Sequence, residues 1–173
     1  MNDSRQDSLE LDTLLDASCV AARETCADDA AAIRRAAALL VQAGAVTEEY
    51  ADAVIARERE FPTGLPTQPI GVALPHADRG VQRPAIALMT LQEPVLFYEM
   101  GTGERQIPVT LVIMLALPSG DAHVQAIGAL AEIIQQPGFV KEVINAQTPD
   151  QLYEIFQHWT AHPGKEGEER NGT

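Results

Sequence analysis

The sequence predicts an α/β fold, an α+β sandwich in which a single mixed β-sheet is flanked by helices. Three observations carry that reading. Ile107 to Leu117 is apolar at nearly every position, the pattern of a strand buried on both faces. Helical periodicity occupies the segments before and after the strand-like runs, so a block of strands lies between two blocks of helices. No repeat and no linker divides the chain, and 173 residues with 46% hydrophobic content suffice for one domain with a substantial core.

In chain order, residues 1–13 are polar and read as a flexible N-terminal segment, and the folded domain spans 14–161. Within the ambiguous run Leu14 to Thr25, Cys19 to Ala22 reads as a short strand. Asp28 or Asp29 caps a helix with Ile33, Ala36, Ala37, Leu40 and Val41 on its apolar face, and Gly44 closes it. Thr47 opens a second helix, with Glu48 and Glu49 at the positive end of its dipole. Tyr50, Ala53, Val54 and Arg57 follow at helical spacing, and the helix stops before Pro62. Residues 62–69 form a loop whose three prolines and one glycine exclude regular structure. Ile70 to Leu74 is a short buried strand, cut off by Pro75, which has no N–H to continue a ladder.

Ala85 to Leu91 reads as the next strand, ending near Pro94, and Val95 to Tyr98 as a further short one; Gly101 to Glu104 is a turn. Pro118, Ser119 and Gly120 break the long buried strand. Asp121 then caps a helix running through His123, Ile127, Leu130, Ala131 and Ile134 to Gln136. Pro137 begins another helical stretch with Phe139, Val140, Val143 and Ile144. Thr148 and Pro149 open the last helix, with Leu152, Ile155, Phe156 and Trp159 facing inward. Residues 162–173 carry no apolar side chain larger than proline and read as a disordered tail.

The formal net charge of −13 argues against nucleic acid or an anionic membrane as partner, because both are polyanions. No stretch approaches the roughly 20 apolar residues of a membrane span. The N-terminus lacks the basic start and apolar run of a signal peptide, so a cytoplasmic location is expected. Cys19 and Cys26 are too few for a disulfide framework and fit neither a CxxC pair nor a zinc pair; they read as reduced structural thiols. The chain has no GxxxxGK[ST] loop, no GxGxxG and no GxSxG elbow.

Three polar side chains remain as candidates. His76 follows Pro75 where the chain leaves a strand, which predicts a rigid base and an exposed ring. Arg57 lies in the last turns of the helix feeding the same loop, and His123 in the first turn of the helix after the long strand. A helix N-terminus offers free N–H groups to phosphate, and a guanidinium fork suits a dianionic phosphoryl group. A neutral imidazole is a competent nucleophile toward phosphorus, and a second one can donate to the oxygens. The same residues have plainer readings: His76 as a loop histidine, Arg57 as a solvated charge beside Glu58 or Glu60, His123 as a helix-start residue. His76, Asp78 and His123 could also supply three ligands to a metal, although no HxxxH or CxxC pair fixes such a geometry.

Arg57-Glu58, Thr63-Gly64, the run Ile70-Gly71-Val72-Ala73-Leu74-Pro75-His76, and His123 within Asp121-Ala122-His123-Val124-Gln125 resemble the fructose/mannitol-type enzyme IIA domain of the bacterial phosphoenolpyruvate-dependent sugar phosphotransferase system. The galactitol-specific branch is the nearest in pattern, and the resemblance spans about residues 14–160. It implies a phosphotransferase/anion-transport-protein-like fold. It also implies that His76 accepts a phosphoryl group from HPr and passes it to a cysteine on a IIB component, with Arg57 and His123 as stabilisers. No cofactor is implied beyond the phosphoryl group carried covalently on His76, both partners are transient, and galactitol or a related polyol is the substrate. The nitrogen-related branch offers an alternative, a regulatory module that binds partners according to its phosphorylation state. Asp78 departs from the pattern: it sets a negative charge near the phosphoryl group unless it turns away or pairs with Arg79 or Arg83.

Overall fold

The computed structural model describes residues 10–118 and 120–161, so the expected tail at 162–173 and residues 1–9 of the N-terminal segment lie outside the described residues. The elements in chain order are α1 (Leu11–Leu14), β1 (Leu15–Glu24), α2 (Asp29–Gln42), α3 (Tyr50–Glu60), β2 (Gly64–Leu65), β3 (Gly71–Ala73), β4 (Ala85–Tyr98), β5 (Gln106–Ala116), α4 (Gly120–Ile134), α5 (Pro137–Asn145) and α6 (Pro149–Ala161). The strands form one sheet in the order β1-β4-β5-β3-β2. β1 runs parallel to β4 and β3 parallel to β5, whereas β4 with β5 and β2 with β3 are antiparallel. The predicted single mixed sheet is thus the one observed.

The apolar run becomes β5, the middle strand. From Leu111 to Ala116 every residue is buried, so both faces of the sheet are covered there. α2 packs against β4 and α6 against β1. Asp28 caps α2 by accepting the Ala31 N–H at 2.8 Å, and Gly44 follows the helix at φ +71, a conformation that costs glycine little. Ile33, Ala36, Ala37 and Leu40 are buried as the periodicity requires. Phe139, Val140 and Val143 of α5, and Leu152, Phe156 and Trp159 of α6, complete the core; Ile144, expected inward, is 38% exposed.

Four expectations change. Residues 10–13 are not all loose, because Leu11 starts a one-turn helix and is buried with the core. β1 runs from Leu15 to Glu24, well beyond Cys19 to Ala22, because parallel pairing with β4 reaches from Leu15 opposite Ile86 to Glu24 opposite Leu91. Pro94 does not divide two strands. A register shift between Thr90 and Val95 throws Gln92, Glu93 and Pro94 out as an exposed bulge, and one strand continues through it. Gly64 and Leu65 form a two-residue strand inside the proline-rich loop, paired with Ala73 and Val72. Gly64 permits this because a Cβ there would lie 2.6 Å from the Tyr98 carbonyl oxygen. Gly71 is equally confined, by the Pro108 carbonyl oxygen. Both glycines let backbones close up around the strand that leads to His76.

Candidate functional site

His76 stands just past β3, yet the sheet continues to hold it. It forms an isolated parallel bridge with Leu115, and the Leu115 N–H donates to the Pro75 carbonyl at 3.1 Å. Proline lacks a donor but keeps its acceptor, so β5 can still pair with it. On the other side, the Ala77 N–H donates to the Tyr50 hydroxyl at 3.3 Å, and that hydroxyl donates to the Leu115 carbonyl. α3 and β5 together therefore staple the backbone around the imidazole.

The ring is pinned as well. Its Nδ1 lies 2.8 Å from the Leu74 carbonyl oxygen. A carbonyl only accepts, so Nδ1 carries the proton and Nε2 keeps its lone pair. Burial holds the His76 pKa below its ordinary value, and the Arg57 charge adds to that effect; the Leu74 carbonyl and Asp78 work the other way. The ring is accordingly neutral near pH 7.

The predicted exposed ring is not what the structure shows: His76 is 7% exposed. The bridge to Leu115 keeps the residue within the sheet layer, and the His123 ring packs beside it, with centroids 4.8 Å apart and planes tilted by 49°. The cover is thus partly another candidate residue. Two polar atoms here are sealed from solvent without a hydrogen-bond partner, Arg57 Nε and His123 Nε2, and His76 Nε2 is not one of them.

Arg57 and His123 converge on the site from the last turn of α3 and the first turn of α4. Arg57 Nη1 lies 4.0 Å from Asp78 Oδ2, and its guanidinium carbon lies 5.2 Å from the centroid of the Phe61 ring. His123 is 4% exposed, and its Nδ1 lies 3.2 Å from Asp78 Oδ1. Burial and then the neighbouring His76 ring lower the His123 pKa, with Asp78 opposing. That contact therefore joins a carboxylate to a neutral imidazole rather than a full ion pair. Asp78 pairs with Arg57 and His123, not with Arg79 or Arg83; the Arg83 guanidinium donates instead to the Ala43 carbonyl at 2.8 Å.

Glu58 does not neighbour Arg57 in the sense expected of a surface pair. It turns inward, is 7% exposed, and takes the Thr63 N–H at 2.8 Å and the Thr63 hydroxyl at 2.9 and 3.0 Å. Burial pushes its carboxyl up to about 7. Thr63 Oγ1 accepts the Leu74 N–H at 3.1 Å, so this pair supports the same residue that pins His76. Nothing in helical periodicity marks Glu58 as buried or joins it to Thr63; only the adjacency of Arg57-Glu58 and Thr63-Gly64 in the pattern hinted at it. Tyr50 was legible only as a core residue.

An open groove of ≈ 520 Å³ lies beside the site, lined by Arg57, Glu60, Ala77, Asp78 and Arg79 among others. A larger cavity of ≈ 710 Å³, between α2, α3 and the β4–β5 hairpin, contains none of His76, Arg57 or His123. Among the described residues no group of three or more His, Cys, Asp or Glu side chains is placed to hold a metal ion. No helix among them is long and apolar enough to cross a membrane. The arrangement offers a neutral imidazole with a free ring nitrogen, a second imidazole packed beside it, and a guanidinium that lines the open groove.

The family model for the phosphoenolpyruvate-dependent sugar phosphotransferase system, EIIA 2, matches residues 13–159. The PTS system 2-O-alpha-mannosyl-D-glycerate-specific EIIABC component of Escherichia coli (strain K12) is 34% identical over 161 residues, 87% of this chain and 23% of that protein. The PTS system galactitol-specific EIIA component of the same strain is 26% identical over 113 residues, 65% of this chain and 75% of that one. The crystal structure of IIA mannitol from Escherichia coli has a TM-score of 0.67 at 26% identity, covering 81% of this chain and 96% of that one. With that family model spanning almost the whole folded part, the chain belongs to the EIIA 2 family of the phosphoenolpyruvate-dependent sugar phosphotransferase system, whose members are enzyme IIA components of a phosphotransferase.

Proposed function

We propose that the chain is a cytoplasmic phosphohistidine relay. His76 accepts a phosphoryl group from the phosphohistidine of HPr and passes it to a cysteine of a IIB component, for uptake of galactitol or a related sugar or polyol. The observation that carries this reading is the contact between His76 Nδ1 and the Leu74 carbonyl, which leaves Nε2 as the free nucleophile. The Nε2 lone pair forms the new N–P bond while the donor's N–P bond breaks and its electron pair returns to the donor ring. The proton stays on Nδ1, donated to the Leu74 carbonyl throughout, so the phosphorylated ring is a cation stabilised by a carbonyl. A loose transition state of this kind needs alignment and charge more than covalent help. Arg57 and His123 are the groups that supply both.

The EIIABC name of the mannosylglycerate relative supports a IIB group as acceptor, and the galactitol-specific relative supports a polyol. The relay itself handles only the phosphoryl group, so galactitol rests on that likeness alone. Incubation with phosphoenolpyruvate, enzyme I and HPr, followed by mass analysis, tests the reading. One phosphoryl group is expected, labile in acid and stable in base, attached at Nε2, and absent from His76→Ala. Labelling that survives His76→Ala removes His76 from the mechanism.

A further inference from the structure

Two groups proposed to hold a phosphoryl dianion are both engaged by one carboxylate. Asp78 Oδ1 lies 3.2 Å from His123 Nδ1 and Asp78 Oδ2 lies 4.0 Å from Arg57 Nη1. The Asp78 side chain is 60% exposed, while His123 is 5% and Arg57 37% exposed at the side chain. The most exposed partner is therefore the anion, the imidazole is the buried one, and the guanidinium lies between them. Asp78 is also only two residues from His76, so its backbone cannot retreat far, although its side chain can rotate into solvent. An anion bound between Arg57 and His123 meets a like charge unless Asp78 gives way.

We propose that the Asp78 carboxylate acts as the resident counter-anion of the unphosphorylated site, competing with the phosphoryl group for Arg57 and His123. The competition rests on the relay reading above and adds a direction to it. In the unphosphorylated protein Asp78 holds Arg57 and His123 in place. In the phosphorylated protein it is displaced beside a dianion, which shortens the life of the N–P bond and favours passage to the next acceptor. Asp78 is a positioning residue with an electrostatic cost to the loaded state, and its effect depends on charge rather than shape.

The test compares wild type, Asp78→Asn and Asp78→Glu in two measurements. The first is the partition of the phosphoryl group between HPr and this chain, together with the half-life of the phosphohistidine. Asp78→Asn is expected to shift the partition toward this chain by about tenfold and to lengthen the half-life, while Asp78→Glu stays near wild type. The second is titration of the unphosphorylated proteins with inorganic phosphate, followed through the imidazole NMR signals of His76 and His123. Asp78→Asn is expected to bind phosphate about tenfold more tightly. An unchanged partition, or a less stable phosphohistidine in Asp78→Asn, overturns the competition and makes Asp78 a supporter of His123. If none of the three proteins accepts a phosphoryl group, the relay reading fails and the phosphate titration decides alone: tighter binding by Asp78→Asn sustains the competition, and equal or absent binding overturns it.

Discussion

Thr63 and Glu58 close on one another inside the protein, the Thr63 N–H donating to Glu58 Oε1 at 2.8 Å and the hydroxyl lying 2.9 and 3.0 Å from the two carboxyl oxygens. The same hydroxyl accepts the Leu74 N–H, and the Leu74 carbonyl holds His76 Nδ1. A continuous line of hydrogen bonds therefore runs from the last turn of α3 to the imidazole.

Thr63→Val removes the hydroxyl but keeps the shape, leaving the Glu58 carboxyl and the Leu74 N–H short of a partner. The expected cost is about 1–3 kcal/mol of stability, measured by denaturant unfolding. Phosphoryl uptake by the folded variant is expected to slow as well, because Leu74 no longer holds the ring as firmly. Thr63→Ser retains the hydroxyl and is expected to restore the rate. A Thr63→Val protein that folds and takes up phosphate at the wild-type rate would show that the network supports the fold and not the ring.

Glu58 makes stability depend on pH. Its carboxyl is raised by burial from 4.5 to about 7 in the folded protein, so the folded state binds that proton more tightly than the unfolded chain. Its contribution is fully present below 4.5 and is lost as pH rises through about 7. His76 and His123 act in the opposite sense, since their lowered values give stability that is lost as pH falls below the ordinary 6.5. The comparison that isolates Glu58 is wild type against Glu58→Gln. Wild type is expected to lose stability relative to the variant, on the order of a few kcal/mol, between pH 4.5 and about 7. Parallel pH profiles in urea unfolding would place the Glu58 pKa near its ordinary value.

Arg57→Ala is expected to slow phosphoryl uptake by about 100-fold, the scale of removing one charge-stabilising donor from a transition state. Its side chain is 37% exposed and its ion pair with Asp78 is long, so thermal unfolding is expected to change little. Arg57→Lys keeps the charge without the fork and is expected to fall between the two. Rapid-quench measurement of uptake from phosphorylated HPr checks all three, and an unchanged rate in Arg57→Ala returns this residue to an ordinary surface charge.

The order of helices and strands was readable because periodicity and caps are local: Asp28, Gly44, Pro137 and Thr148 mark their boundaries by backbone chemistry that needs no distant partner. Pro94 and the 62–69 loop misled for the converse reason. Whether a proline ends a strand or rides on a bulge depends on the strand opposite, and Gly64 pairs only because Ala73 lies within reach. The three candidate side chains could be named from their places at strand and helix ends, and the fold brings all three together.

Residue type and spacing alone determined the order of the main helices and strands and the apolar centre of the sheet, because each follows from interactions within a few residues or from burial of a continuous run. Only the folded chain decided that the His76 ring is largely covered, that Glu58 faces Thr63, and that Asp78 lies between Arg57 and His123. Those outcomes depend on contacts between β3, α3 and α4, and electrostatics acts through distance in space, which a linear pattern does not record.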